Sequence, residues 1–182
     1  MSIILIRHGK TAGNLEGRYI GSRTDEPLCE QGIEALRGRG CPPVQRVIAS
    51  PLTRCLQTAA ILYPDLVPQV EDDFRECDFG AFEGKNYSEL NGRADYQAWI
   101  DSGGTLPFPG GESQEEMRCR CEEAFRRLNL FALEGDSAIV AHGGTLMALM
   151  SAFALPPRPY FDYQVKNGEG FLLEPDGSWR RL

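Results

Sequence analysis

Two short apolar runs constrain the fold of this chain most. Ile3-Ile4-Leu5-Ile6 leads through Arg7 to His8-Gly9, and Ala138-Ile139-Val140-Ala141 leads directly to His142-Gly143-Gly144. Each reads as a short buried strand that ends in an imidazole at a glycine-relaxed turn. These are the only two histidines in the chain. Histidine is the one side chain whose ordinary pKa, roughly 6.5, lies near neutrality. A lone histidine in such a place caps a strand; two, each followed by glycine and one preceded by arginine, point to proton or group transfer.

Between and after these runs, strand-like and helix-like segments alternate, the pattern of an α/β domain with a mostly parallel central sheet. Strands are predicted over 3–6, 46–50 and 137–141, with a short extended piece over 69–75 and a closing hairpin over 161–165 and 170–174. Helices are predicted over 30–39, 51–62, 87–100, 113–133 and 144–154. Pro51 is placed in the first turn of the second helix, whose core face is Leu52, Leu56, Ala59, Ala60 and Tyr63. The polar, glycine-rich stretch from Gly9 to Pro27 is too long for a plain strand-to-helix connection and is assigned a functional role.

At 182 residues, with no repeat or low-complexity tract, the sequence is read as one domain spanning 1–182. Its formal charge of −7 argues against a nucleic-acid or anionic-membrane partner. No apolar run approaches the roughly 20 residues that span a bilayer, and the first residues lack a signal-peptide pattern; a cytoplasmic location is expected. The six cysteines form no CxxC pair and have no zinc-like spacing to a histidine, so they are read as reduced thiols. Cys121 and Arg127 stand at the spacing of a cysteine-phosphatase loop, but in a charged segment without the glycines that would turn amides towards an anion.

In a parallel sheet, strand C-termini that share a direction bring their loops to one edge. His8, Arg54, Glu76 and His142 are thereby expected on one rim. Arg7 and Arg54 offer forked, permanently charged donors suited to phosphate oxygens, and amides near Gly9 and after Gly143 would add neutral ones. A neutral imidazole there can attack phosphorus if its other nitrogen donates to a carbonyl, while a carboxyl group protonates the departing alkoxide. The geometry expected of such a site is a pair of imidazoles facing each other across an anion-sized gap, flanked by two guanidinium groups.

Five ordered blocks then carry a resemblance. Arg7-His8-Gly9-Lys10-Thr11-Ala12-Gly13-Asn14 and the stretch through Gly21, Asp25-Glu26-Pro27-Leu28 and Gln31-Gly32 form the first. Ser50-Pro51-Leu52-Thr53-Arg54-Cys55-Leu56-Gln57-Thr58-Ala59 is the second, and Arg75-Glu76-Cys77-Asp78-Phe79-Gly80 with Glu83-Gly84 the third. Pro109-Gly110-Gly111-Glu112-Ser113 and Val140-Ala141-His142-Gly143-Gly144 complete the set. Together they resemble the histidine phosphatase superfamily, its phosphoglycerate mutase-like branch. The resemblance implies a three-layer α/β/α sandwich, no metal and no organic cofactor. It assigns His8 as the transiently phosphorylated nucleophile, Glu76 as proton donor, and Arg7, Arg54 and His142 as the phosphate pocket. Asn14, Gly21 and Gly143 complete the substrate-binding set.

Two positions depart from the family pattern: Lys10, where many relatives carry Glu or Gln, and Cys29, which removes a Ser or Thr helix cap. The compact size and the Pro109–Ser113 block resemble the α-ribazole phosphatase group. The expected activity is therefore hydrolysis of a small phosphomonoester, with α-ribazole 5′-phosphate of cobalamin biosynthesis as the candidate substrate. A phosphoglycerate mutase is the alternative. A non-catalytic phospho-ligand module would be expected to lack the nucleophile or the acid, and both are present. The partner expected is a small phosphorylated substrate, bound by a monomer or homodimer. Tyr87, Tyr96, Trp99 and Phe108 mark the segment 87–108 as a cover that selects the leaving group.

Overall fold

A computed structural model describes residues 1–182. Its sheet contains β1 (Ile3–Arg7), β2 (Arg46–Ala49), β3 (Gln69–Val70), β4 (Ser137–Ala141), β5 (Gly170–Leu173) and β6 (Trp179–Arg181), in the order β3-β2-β4-β1-β5-β6. The first four run parallel; β5 and β6 are antiparallel additions beside β1. The helices are α1 (Ala12–Leu15), α2 (Glu30–Arg37), α3 (Thr53–Leu62), α4 (Tyr87–Leu90), α5 (Ala94–Asp101), α6 (Gln114–Leu128) and α7 (Gly143–Phe153).

Strand side chains alternate between two buried faces, which makes the molecule three layers deep. Ile3 and Leu5 of β1 and Ile139 and Ala141 of β4 join the core under α6 and α7. Ile4, Ile6, Ala138 and Val140 join a second core with Cys55, Ala59 and Tyr63 of α3. Burial on both faces explains why these strands read as unbroken apolar runs rather than alternating ones.

Several boundaries differ from the sequence reading, each for a local reason. Residues 160–163 form a 3-10 turn after Pro159 rather than a strand, with the Tyr163 hydroxyl accepting the Arg158 amide. The closing hairpin is instead β5 with β6, joined by a turn in which Gly177 takes φ +84° and Asp176 accepts the Ser178 amide. The extended piece after β3 tightens into a 3-10 turn, Asp72–Phe74, capped by Glu71. The 87–100 helix is broken into α4 and α5 at Asn91-Gly92-Arg93, Gly92 having φ +83°. The long charged helix stops at Leu128, where Asn129 adopts a left-handed conformation. Pro51 lies outside α3, and Ala60 is exposed rather than part of its core face.

Candidate active site

Parallel pairing of β1, β2 and β4 delivers His8, Ser50 and His142 to one sheet edge, and the 3-10 turn after β3 delivers Glu76 beside them. A cavity of about 510 Å³ opens there, lined among others by Arg7, His8, Asn14, Glu76 and Gly143. Arg54, Gly21 and His142 do not reach its wall. Arg54 and His142 are 0% exposed and stand behind His8.

The two imidazoles meet edge to face with ring centroids 5.1 Å apart and planes inclined by 65°. That is contact distance for ring pairs. The rings thus touch rather than standing apart across the expected gap, and the open side of His8 faces the cavity beside Arg7 and Asn14. His8 Nδ1 lies 2.6 Å from the Gly9 carbonyl oxygen, which can only accept. The proton is thereby fixed on Nδ1, and Nε2 keeps its lone pair. The Gly9 amide, expected to be free for an anion, donates to Thr58 Oγ1 at 3.0 Å.

His142 is held from both sides. Arg54 Nε donates to its Nδ1 (3.3 Å), and its Nε2 lies 2.7 Å from Ser50 Oγ. Arg54 Nη1 and Nη2 donate to the carbonyls of Thr24 and Gly21. The carbonyl of Gly21 thus steadies Arg54 while its amide donates to Glu83 Oε1, so Gly21 acts on the scaffold and not on the cavity. At the start of α3, Asp25 from the long loop accepts the Thr53 amide at 2.7 Å, fixing the turn that carries Arg54.

Both histidines are held well below the ordinary 6.5. Burial is the main cause, and the Arg54 and Arg7 charges add to it; for His142 the neighbouring His8 contributes as well. Both are therefore neutral near pH 7, the state a nucleophile requires. Arg7 donates Nη1 to the Val165 carbonyl at 2.8 Å, and its side chain packs over Gly143. Burial, partly offset by the Glu76 charge, draws its pKa below the ordinary arginine value.

Glu76 is buried on the cavity wall. Its Oε1 accepts the Cys77 amide (2.9 Å) and its Oε2 the Gly144 amide (3.1 Å) at the N-terminus of α7. A Cβ at position 144 would overlap Glu76 Oε1, so only glycine allows α7 to approach this closely. Arg120 of α6 closes the back of the acid loop, donating to the carbonyls of Asp73, Arg75 and Glu76 and to the Glu112 carboxylate.

The opposite wall is aromatic. Tyr19, Phe79, Tyr87, Tyr96, Trp99 and Phe108 line the cavity, and Tyr160 and Phe161 face them from the stretch before β5. Trp99 stacks on Phe108 with centroids 4.8 Å apart. The segment 87–108 thus forms one side of the cavity, while Lys10 lies off it. Sequence reasoning missed Ser50, Thr58 and Asn167, which hold His142, Gly9 and Asn14. For Asn167 a signal existed: Asn-Gly marks a turn just before a strand next to β1.

No helix is long and apolar enough to cross a membrane, and all six cysteines are free thiols. The family model described as the histidine phosphatase superfamily (branch 1) matches residues 3–182. A 2,3-bisphosphoglycerate-dependent phosphoglycerate mutase 2 of Gloeobacter violaceus is 33% identical over 81% of this chain and 73% of its own length. An adenosylcobalamin/alpha-ribazole phosphatase of Salmonella typhimurium is 27% identical over 99% of both chains. The crystal structure of the alpha-ribazole phosphatase from Shigella flexneri superposes with a TM-score of 0.83 at 26% identity, covering 96% of this chain and 90% of that one.

Proposed function

This chain belongs to the histidine phosphatase superfamily, branch 1, and on that premise we propose that it hydrolyses a small phosphomonoester through a phosphohistidine on His8. The observation that carries the choice is the distribution of charge around the cavity. Its only lining cations are Arg7 and Arg18. Arg18 is already bonded to Glu16 (2.6 Å) and Glu89 (2.7 Å), whereas Arg7 has no carboxylate partner within ion-pair distance. One phosphate dianion can be held against Arg7, with Arg54 adding its field from behind. A second anionic group, which a mutase must grip to retain a bisphosphorylated intermediate, would meet a largely aromatic wall.

In this reading His8 Nε2 attacks phosphorus, forming the N–P bond as the ester P–O bond breaks. Nδ1–H remains on the Gly9 carbonyl, so the imidazole neither rotates nor loses its tautomer. Glu76 gives a proton to the departing alkoxide, then takes one from the water that cleaves the N–P bond. Acid–base assistance of this kind supplies about 10²–10⁴ in rate. Charge stabilisation on the transferring group by Arg7 and the buried Arg54 supplies more.

The aromatic wall supports a flat, uncharged leaving group. The α-ribazole released from its 5′-phosphate carries a flat, uncharged base, and the Salmonella and Shigella relatives are named alpha-ribazole phosphatases. The mutase reading is favoured by the Gloeobacter relative. A phosphate-release screen over α-ribazole 5′-phosphate, sugar phosphates and nucleotides tests the proposal, run beside 3-phosphoglycerate with a trace of 2,3-bisphosphoglycerate. Preferred release from the aromatic nucleoside phosphate is expected; isomerisation faster than phosphate release would overturn it.

A further inference from the structure

Asn167 lies in the turn before β5, and because β5 is antiparallel to β1 that turn sits at the edge where β1 delivers His8. The Gly168 amide donates to the Arg7 carbonyl (2.9 Å) and the His8 carbonyl (3.1 Å), locking the turn to the catalytic strand. Asn167 Nδ2 is 2.9 Å from Asn14 Oδ1, 3.1 Å from the His8 carbonyl and 3.4 Å from the Gly9 carbonyl. Two of these partners are backbone carbonyls and can only accept, so the amide orientation of Asn167 is set.

Asn14 is set in turn. Its Oδ1 accepts the Thr11 backbone N–H at 3.2 Å as well as Asn167, which places its Nδ2 on the other side. That nitrogen bonds no protein group and is not enclosed, while Asn14 and Asn167 both line the cavity with His8 and Arg7.

We infer that Asn167 is a positioning residue. It fixes the amide of Asn14 so that Nδ2 donates to a phosphoryl oxygen, and it steadies the Gly9 carbonyl that holds His8 Nδ1–H. The first half concerns anion binding alone; the second rests on the phosphohistidine reading above.

The test measures the dissociation constant of inorganic phosphate for the wild-type protein, Asn14→Ala, Asn167→Ala and the double variant, with melting temperatures as a check on folding. Loss of a hydrogen bond to a charged group predicts that each single change weakens phosphate about 10-fold or more. Because the two residues act as one unit, the double variant is expected to lose no more than Asn14→Ala. Losses that multiply, or unchanged phosphate binding in Asn167→Ala, would overturn the inference.

Asn167→Asp, nearly the same shape, presents a carboxylate to three acceptor oxygens and to His8. It is expected to weaken phosphate more than Asn167→Ala does, and to move the acid limb of kcat/KM upward towards the ordinary histidine value. Equal effects of Asp and Ala, with no movement of the limb, would contradict the role. Phosphate affinity is read without turnover, so failure of the hydrolysis reading and failure of the Asn14–Asn167 pair give different results.

Discussion

The floor and the aromatic wall of the cavity are held in different ways. On and beneath the floor, His8, His142 and Glu76 hang from strand ends or turns; His8 Nδ1, both ring nitrogens of His142 and both carboxylate oxygens of Glu76 are tied to backbone groups or to buried side chains. On the wall, Tyr87 and Phe161 are 65% and 52% exposed, and the rings hold one another chiefly by stacking and edge contacts. Directional bonds to the backbone fix an atom's position, whereas ring packing tolerates exchange of one apolar shape for another. In the proposed phosphatase, the contrast assigns the reaction to the sheet edge and the choice of leaving group to a surface that can be changed without touching the reaction.

The comparison is broken most severely at Glu76. Glu76→Gln removes the proton but keeps the shape, so turnover of an alkyl phosphate is expected to fall by about 10²–10⁴. An activated aryl phosphate, whose leaving group needs no proton, is expected to lose far less. Equal losses on the two substrates in steady-state assays would remove Glu76 from the role of acid.

A second effect is on stability against pH. His8 and His142 have folded-state pKa values depressed below the ordinary 6.5. The unfolded chain therefore binds more protons in that window, and the stability these neutral imidazoles carry is complete above pH 6.5 and lost as pH falls from there towards their folded values. Melting temperature is expected to fall on acidification below about pH 6.5, and inorganic phosphate in front of His8 is expected to reduce the fall. A melting temperature that rises over the same interval would contradict the neutral pair.

The wall gives a smaller and selective effect. Tyr87 is exposed, so Tyr87→Ala is expected to leave the fold intact. It should raise KM for aryl and nucleoside phosphates roughly 3- to 10-fold, the worth of one aromatic contact, while a short alkyl phosphate is unaffected. Parallel changes for both substrates would place Tyr87 outside the selective surface. The smallest expected effect lies away from the cavity. Cys29 stands at the N-cap of α2 without a side-chain cap bond, so Cys29→Ser is expected to add about 1 kcal/mol, or about 2–4 °C in melting temperature, with kinetics unchanged.

The same contrast explains what the sequence made legible. The double-sided burial of β1 and β4 leaves unbroken apolar runs, and the blocks around His8, Arg54, Glu76 and His142 follow strands whose direction is shared; fold class and the meeting of these residues could be read from that. The arrangement in depth could not. That Arg54 and His142 stand behind His8, and that Gly21 serves Arg54, depends on side-chain directions that spacing does not encode. β6 was hidden because Trp179-Arg180-Arg181 is short and charged, as suits an edge strand. Phe161–Val165 looked like a strand by composition, but Pro159 and the buried Tyr163 turn it into a 3-10 segment.

The most direct measurement is rapid quenching of the enzyme with a ³²P-labelled phosphomonoester, followed by mapping of the labelled peptide. An acid-labile phosphoryl group on His8, formed and lost at rates that account for turnover and absent from His8→Ala, is the predicted result. Turnover without any labelled histidine, or a label on another residue, would contradict the central claim.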